Sequence, residues 1–251
     1  YTGEDTLSLH DALPICVIVV FENFAHVLEK IEDCDALKHR VVVAPGELLG
    51  SLKGTLINFV ARHIKKIVPR WHLPSVLSLN QVLRYGQAMP WNAPAIKLTD
   101  LAALQYTGGT TGTPKGAMLT HGNLVANVLQ IQEVAMPALR QVIADPLTML
   151  AALPLYHVFA MTVCALYGIH AGMKNVLVIN PRDRKTLVHT WRKYPVHIFP
   201  GVNTLFNALM QEPEFSRLNF SDLKLVFGGG MALQSAVASR WVELTGRPLI
   251  E

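Results

Sequence analysis

Tyr106-Thr107-Gly108-Gly109-Thr110-Thr111-Gly112-Thr113-Pro114-Lys115-Gly116 gathers glycines, threonines and one lysine into a single loop. Glycine lets backbone N–H groups turn inward and come close to a ligand. Threonine hydroxyls can donate to phosphate oxygens or help hold a metal ion. Lys115 adds a compact positive charge. Flexible linkers share this composition, but here the loop lies between two apolar segments. Leu101-Ala102-Ala103-Leu104-Gln105-Tyr106 has strand character, and Ala117-Met118-Leu119 resumes it. A loop held between ordered elements points to polyphosphate binding; the structural alternative is an ordinary hairpin connection. Its spacing departs from the Walker pattern, because Pro114 precedes the lysine and Gly116 follows it. It also departs from the Gly-x-Gly-x-x-Gly of kinases.

At 251 residues, 51% apolar and 16% charged, the chain has enough apolar side chains for a substantial core, which excludes a disordered polypeptide. A net charge of +4 suits an anionic nucleotide or a membrane surface, and no nucleic-acid signature accompanies it. Cys16, Cys34 and Cys164 lack CxxC spacing and read as reduced, cytosolic thiols. The ten histidines include no HExxH pattern, and no metal-ligand set is expected. Pro146 to Met173 contains no Asp, Glu, Lys or Arg. A membrane span is weighed there against a buried core element; Pro154, Tyr156, His157 and His170 favour the core.

Periodicity predicts an α/β chain. Cys16-Val17-Ile18-Val19-Val20 reads as a parallel-sheet strand, Phe24 to Lys30 as a helix and Arg40 to Val43 as the next strand. Ser51 to Val68 is amphipathic, with Leu52, Leu56, Phe59, Val60, Ile64 and Ile67 at helical spacing. Lys53, Arg62, Lys65, Lys66 and Arg70 load the remainder, with Trp71 just beyond. Two readings stay open: a packed helix with a solvated basic face, or contact with anionic lipid. Val76 to Asp100 reads as proline-spaced connection. Thr120 is placed to cap a helix bearing Leu124, Val128 and Ile131. Further on, strands are expected at Asn175 to Ile179 and Leu223 to Phe227, and a helix at Lys185 to Lys193.

The loop, together with Thr120-His121-Gly122-Asn123-Leu124, resembles the phosphate loop of the adenylate-forming superfamily, which includes acyl-CoA synthetases and luciferases. Further matches follow in the family's order. Leu153-Pro154-Leu155-Tyr156-His157-Val158-Phe159 is similar to the segment beside the acyl and α-phosphate site. Gly201-Val202-Asn203-Thr204 is similar to the strand end lining the acyl pocket, and Gly228-Gly229-Gly230-Met231 to the glycine turn against adenine. Asn180-Pro181-Arg182-Asp183 and Leu119 to Asn123 look most like bacterial long-chain fatty-acid–CoA ligases. The resemblance implies the central part of a large N-terminal domain, its sheets flanked by helices.

It also implies two-step chemistry, with ATP, Mg2+ and CoA as cofactors or co-substrates and a long-chain fatty acid as substrate. Tyr106 to Ala117 would hold the β- and γ-phosphates, with Lys115 adding charge. His157 would donate to the carboxylate or α-phosphate; a satisfied core histidine is the alternative. Gly228, Gly229 and Gly230 would face adenine, and Gly201 and Val202 the acyl tunnel. The activity would be cytoplasmic, peripheral on the inner face of the membrane if the lipid reading holds. Some long-chain members carry a gating tryptophan where Met161 stands, which leaves chain-length preference open.

Tyr1 to Ile15 matches nothing in the family and resembles translated adaptor read-through, so a non-native segment is expected there. Residues 16–251 are expected to be a partial AMP-binding domain. The magnesium-binding Tyr-Gly-x-Thr-Glu motif and the small C-terminal domain with its lysine would lie beyond Glu251. A fragment inactive on its own is therefore expected. The competing reading is a non-catalytic nucleotide- or fatty-acyl-binding module.

Overall fold

The computed structural model describes residues 6–8, 16–30, 37–107, 115–142 and 146–251. The chain divides into two compact units, one drawn from residues up to Ala95 and the other mainly from Ile96 onward. Thr6–Ser8 is a three-residue strand, β1, inside the segment set aside above.

In the first unit, β2 (Val17–Phe21) and β3 (His39–Val43) pair in parallel, and β3 pairs in parallel with β4 (Val76–Ser78). The expected helix between the first two strands is only a 3-10 turn at Glu22–Phe24 and one turn of α1 (Ala25–Leu28). The expected long helix starts as α2 (Ser51–Phe59) and continues as a π-wound turn, Val60–Ile64. Gly46 crosses Gly54 so closely that a Cβ on Gly46 would lie 2.6 Å from the Gly54 carbonyl oxygen.

The stretch read as connection after Val76 holds β4 and then α3 (Leu79–Gln87). Its start signal is a capping box. The Ser78 hydroxyl accepts from the Gln81 N–H at 3.2 Å, and Gln81 Oε1 accepts from the Ser78 N–H at 2.8 Å. Closely spaced prolines hid a nine-residue helix that its cap specifies locally.

In the second unit, β5 (Leu101–Thr107) and β6 (Lys115–Thr120) are neighbouring strands, followed by α4 (His121–Leu139). Thr120 caps α4 as the sequence predicts: its hydroxyl accepts from the Asn123 N–H at 3.2 Å, and Asn123 Oδ1 accepts from the Thr120 N–H at 2.9 Å.

A four-stranded parallel sheet then organises this unit. Its strands are β7 (Thr148–Ala151), β8 (Lys174–Leu177), β9 (Ile198–Gly201) and β10 (Leu225–Gly228), in the order β10-β9-β7-β8. Between β7 and β8 run α5 (Val158–Ala160), a π-wound segment (Met161–Tyr167) and α6 (Gly168–His170). The remaining helices are α7 (Arg184–Lys193), α8 (Asn203–Met210) and α9 (Ser235–Thr245). The charge-free stretch after Pro146 is thus a buried strand and a broken helix. No helix among the described residues is long and apolar enough to cross a membrane.

Period-two alternation divides the sheet's side chains between two cores. Leu150, Ala152, Phe199 and Val226 join Leu187, Trp191, Phe206 and Trp241 from α7, α8 and α9. Met149, Ala151, Ile198, Leu225 and Phe227 join Val128, Ala135 and Leu139 of α4 and Val163, Cys164 and Tyr167 of the π-wound segment. The first core is aromatic: Trp191 meets Phe199 edge-on at 4.8 Å, and Phe206 meets Trp241 at the same centroid distance. Such pairs add about 1 kcal/mol each beyond area burial.

Candidate functional site

In an open parallel sheet, ligands bind beyond the carboxyl ends of the strands, where the strand order reverses. Here the chain passes from β7 to β8 on one side, then crosses back to place β9 and β10 on the other. The reversal lies between β7 and β9. Three of the motifs singled out in the sequence leave the sheet at this edge: Leu153 to Phe159 after β7, Gly201 and Val202 at β9, and Gly228 to Gly230 at β10.

Gly201 and Gly228 stand opposite each other in register, and the Gly229 N–H donates to the Gly201 carbonyl at 3.3 Å. Gly230 has φ +80°, a left-handed conformation that favours glycine. A Cβ there would meet Val202 Cγ1 at 3.5 Å, an ordinary contact, so backbone conformation and not space favours glycine. Asn203, buried at the start of α8, braces the same turn: its Oδ1 accepts from the Gln234 N–H at 3.0 Å. Sequence reasoning passed over Asn203's side chain, although a polar residue just after a motif glycine is a usable signal.

His157 is the N-cap of α5 and is exposed. Its Nδ1 accepts from the Phe159 N–H at 3.3 Å. A neutral imidazole that accepts at Nδ1 carries its proton on Nε2, so the outward nitrogen is a donor. Phe159, two residues on, closes over the glycine turn. A Cβ on Gly229 would lie 2.8 Å from the ring carbons Cε2 and Cζ of Phe159.

Behind Phe159 lies a cavity of about 630 Å³. Leu124, Ile131 and Val134 of α4, Val163 of the π-wound segment, and Phe227 and Gly228 line it. The apolar stretch from Phe159 therefore contributes Phe159 and Val163 to this space, and α4 supplies the opposite wall. The Asn123, Asn127 and Gln130 side chains, also on α4, add polar groups. The sequence marks α4 as a capped helix bearing Leu124, Val128 and Ile131, and its part in the cavity wall follows from the packing of the fold. Val202 lines a separate cavity of about 450 Å³ with Leu153, Pro154, Arg182 and Thr204.

The phosphate-loop residues Gly108 to Pro114 lie outside the described residues. The backbones of Thr107 and Lys115 end β5 and begin β6, which places the loop between neighbouring strands. The Tyr106 ring lies across Gly116, where a Cβ would be 3.2 Å from Cε1 and Cζ. Ala117 follows on β6. Among the described residues, no group of three His, Cys, Asp or Glu side chains comes together to hold a metal ion.

A family model described as "AMP-binding enzyme" matches residues 10–251. The chain belongs to this AMP-binding enzyme family. Its curated relatives include the long-chain-fatty-acid–CoA ligase of Escherichia coli O157:H7, 48% identical over 234 residues, which are 93% of this chain and 41% of that protein. The Haemophilus influenzae protein of the same name is 45% identical over 245 residues, 98% of this chain and 43% of its own length. This AMP-binding chain thus spans about two fifths of the relatives' length. Solved structures share the fold. The anthranilate CoA ligase AuaEII in complex with anthranoyl-AMP gives a TM-score of 0.69 at 21% identity, over 93% of this chain and 40% of that one. The fatty acyl-adenylate ligase from L. pneumophila with acyl adenylate and pyrophosphate gives 0.57 at 20%, over 88% and 35%.

Proposed function

We propose that this chain forms the ATP- and acyl-handling part of a long-chain fatty-acid–CoA ligase. The observation that carries the reading is the convergence of the His157, Gly201 and Gly228–Gly230 motifs at the strand-order reversal, with an apolar cavity opening behind Phe159. The relatives' names support the substrate class, and the adenylates in the solved neighbours support the intermediate.

In the first step a fatty-acid carboxylate oxygen bonds to the α-phosphorus of ATP, the bond to the β-phosphate oxygen breaks, and pyrophosphate leaves. In the second, the CoA thiol gives up its proton to solvent, its sulfur bonds to the acyl carbon, and AMP leaves with the electrons of the acyl–oxygen bond. Both steps concentrate negative charge on oxygen, so orientation and fixed donors supply most of the catalysis. In this reading the His157 Nε2–H donates to the carboxylate or α-phosphate, which its Nδ1 contact with the Phe159 N–H supports. Thr107, Gly108, Gly109, Thr110, Thr111, Gly112 and Thr113 hold the β- and γ-phosphates with Lys115 in this reading. Gly228, Gly229 and Gly230 offer adenine a surface without side chains. The described residues form no metal set of their own. A cytoplasmic location is part of this reading, since ATP and CoA are both present there.

Calorimetry with alkyl-chain sulfamoyl-adenosines, stable mimics of the acyl-adenylate, tests the reading. Affinity is expected to rise with chain length, and Ile131→Trp, which fills the cavity, is expected to abolish the benefit of the longer chains. Binding indifferent to chain length would favour a nucleotide-binding module instead.

A further inference from the structure

The chain that leaves β10 through the glycine turn is gripped at both ends by one short stretch of sequence. At its start, Gly228 pairs with Gly201, and the Gly229 N–H donates to the Gly201 carbonyl at 3.3 Å. At its far end it enters α9 through the N-cap Gln234, whose N–H donates to Asn203 Oδ1 at 3.0 Å. Asn203 opens α8, just beyond Gly201 and Val202. Because its partner is an N–H, the amide must present its oxygen there.

Asn203 is buried, and a buried amide is costly unless it is bonded. Its partner lies 31 residues away, outside its own helix. Gln234 offers α9 no side-chain cap, and Asn203 anchors its backbone instead. Between the two anchors lie surfaces that two parts of one ligand would meet. Gly228 lines the apolar cavity, and Gly229 seats the Phe159 ring, which lines it as well. Any shift of the turn therefore moves the glycine surface and the wall of the cavity together.

We propose that Asn203 is a positioning residue, whose bond to the Gln234 N–H holds the glycine turn where the adenine surface lines up with the apolar cavity. It acts through the turn and not on the reacting atoms. Its effect falls on ligands that occupy both places at once, because a misplaced turn still offers adenine a surface but aims the attached chain away from the cavity. This role rests on the acyl-adenylate reading given above.

The test is calorimetry of the chain with two acyl sulfamoyl-adenosines, acetyl and dodecanoyl, which share their charge and differ only in the chain. The ratio of the two affinities reads the alignment. Asn203→Leu is expected to lower dodecanoyl affinity by about tenfold or more, as for a buried N–H left unpaired, and to leave acetyl affinity within about twofold. Gln234→Pro removes the donor instead, at a residue whose φ of −76° suits proline, and should do the same. Asn203→Asp keeps an acceptor oxygen and should keep the ratio. Thermal unfolding shows whether each variant is folded. Equal loss for both probes, or unfolding of both Asn203→Leu and Gln234→Pro, means a purely structural role and overturns the proposal. So does a ratio that neither variant moves. An unaltered chain that does not prefer dodecanoyl overturns the ligase reading itself, and this role with it.

Discussion

The Phe159 ring rests on the backbone of Gly229, so that even a methyl group on that glycine would come within 2.8 Å of two ring carbons. The contact joins the segment carrying His157 to the glycine turn, two motifs seventy residues apart in the chain. It also forms the end of the apolar cavity, because Phe159 lines that cavity. Gly229→Ala is expected to push the ring into the cavity and cost about 1–3 kcal/mol by overpacking. Phe159→Ala in the same chain should relieve most of that cost. A double-mutant cycle by urea denaturation reads the coupling; additive effects would mean that the two residues do not constrain each other.

Gly201→Ala should be the more damaging of two similar changes. Its new methyl would meet the Phe206 ring at 2.7 Å. Phe206 is fully buried, whereas Phe159 is half-buried. A ring locked among Phe199 and Trp241 has nowhere to move. The expected loss is about 3 kcal/mol, at the upper end for overpacking, and a melting experiment comparing the two variants checks the order.

His197 makes stability depend on pH. Its Nδ1 accepts from the buried Thr148 N–H at 3.0 Å, and burial pushes its pKa below the usual histidine value. Asp222 opposes that shift, and Lys224 reinforces it. Between the lowered folded pKa and the ordinary unfolded value near 6.5, the unfolded chain binds more protons. The neutral ring's contribution is therefore complete above about pH 6.5 and is lost as pH falls through the folded pKa. Denaturation midpoints across the acid range should show this slope, and His197→Gln should flatten it.

Cys164 should resist alkylation while the protein is folded. Burial pushes its thiol pKa up to about 12, so the reactive thiolate is scarce and inaccessible. Cys16 is exposed and should react readily. Peptide mass spectrometry after iodoacetamide treatment, with and without urea, separates the two; native labelling of Cys164 would mean that the core opens locally.

Arg62 shields a buried carboxylate. Glu22 accepts from Arg62 Nε at 3.0 Å and from Nη2 at 2.9 Å, and its side chain is only 5% exposed. Arg62→Met should destabilise the chain by about 2 kcal/mol, in the range for a charge-assisted hydrogen bond. Glu22→Gln added to that variant should recover part of the loss. Guanidinium titrations of the single and double variants make the comparison.

Much of the fold could be read from the sequence because its signals are local. Val17 to Val20 and Val41 to Val43 are β-branched runs, and both lie in parallel strands. Thr120 three residues before Asn123 specifies a cap whatever surrounds it. The α3 capping box at Ser78 and Gln81 was equally local, but prolines on either side of it drew attention to turns. The α2 stripe left two readings open for a different reason. Its periodicity establishes that Leu52, Leu56 and Phe59 share a face, but cannot say whether that face points inward. The close Gly46–Gly54 crossing and the Glu22–Arg62 pair turned it outward.

The sequence by itself determined the family, the α/β class and the order of the motifs, because glycine spacing, caps and strand composition act over a few residues. Only the tertiary structure decided which motifs meet. The parallel register that sets Gly228 beside Gly201, and the reversal of strand order between β7 and β9, depend on pairing between segments far apart in the chain. The cavity depends likewise on α4 packing over the π-wound helix, a contact that burial of both apolar faces stabilises and that no local pattern encodes.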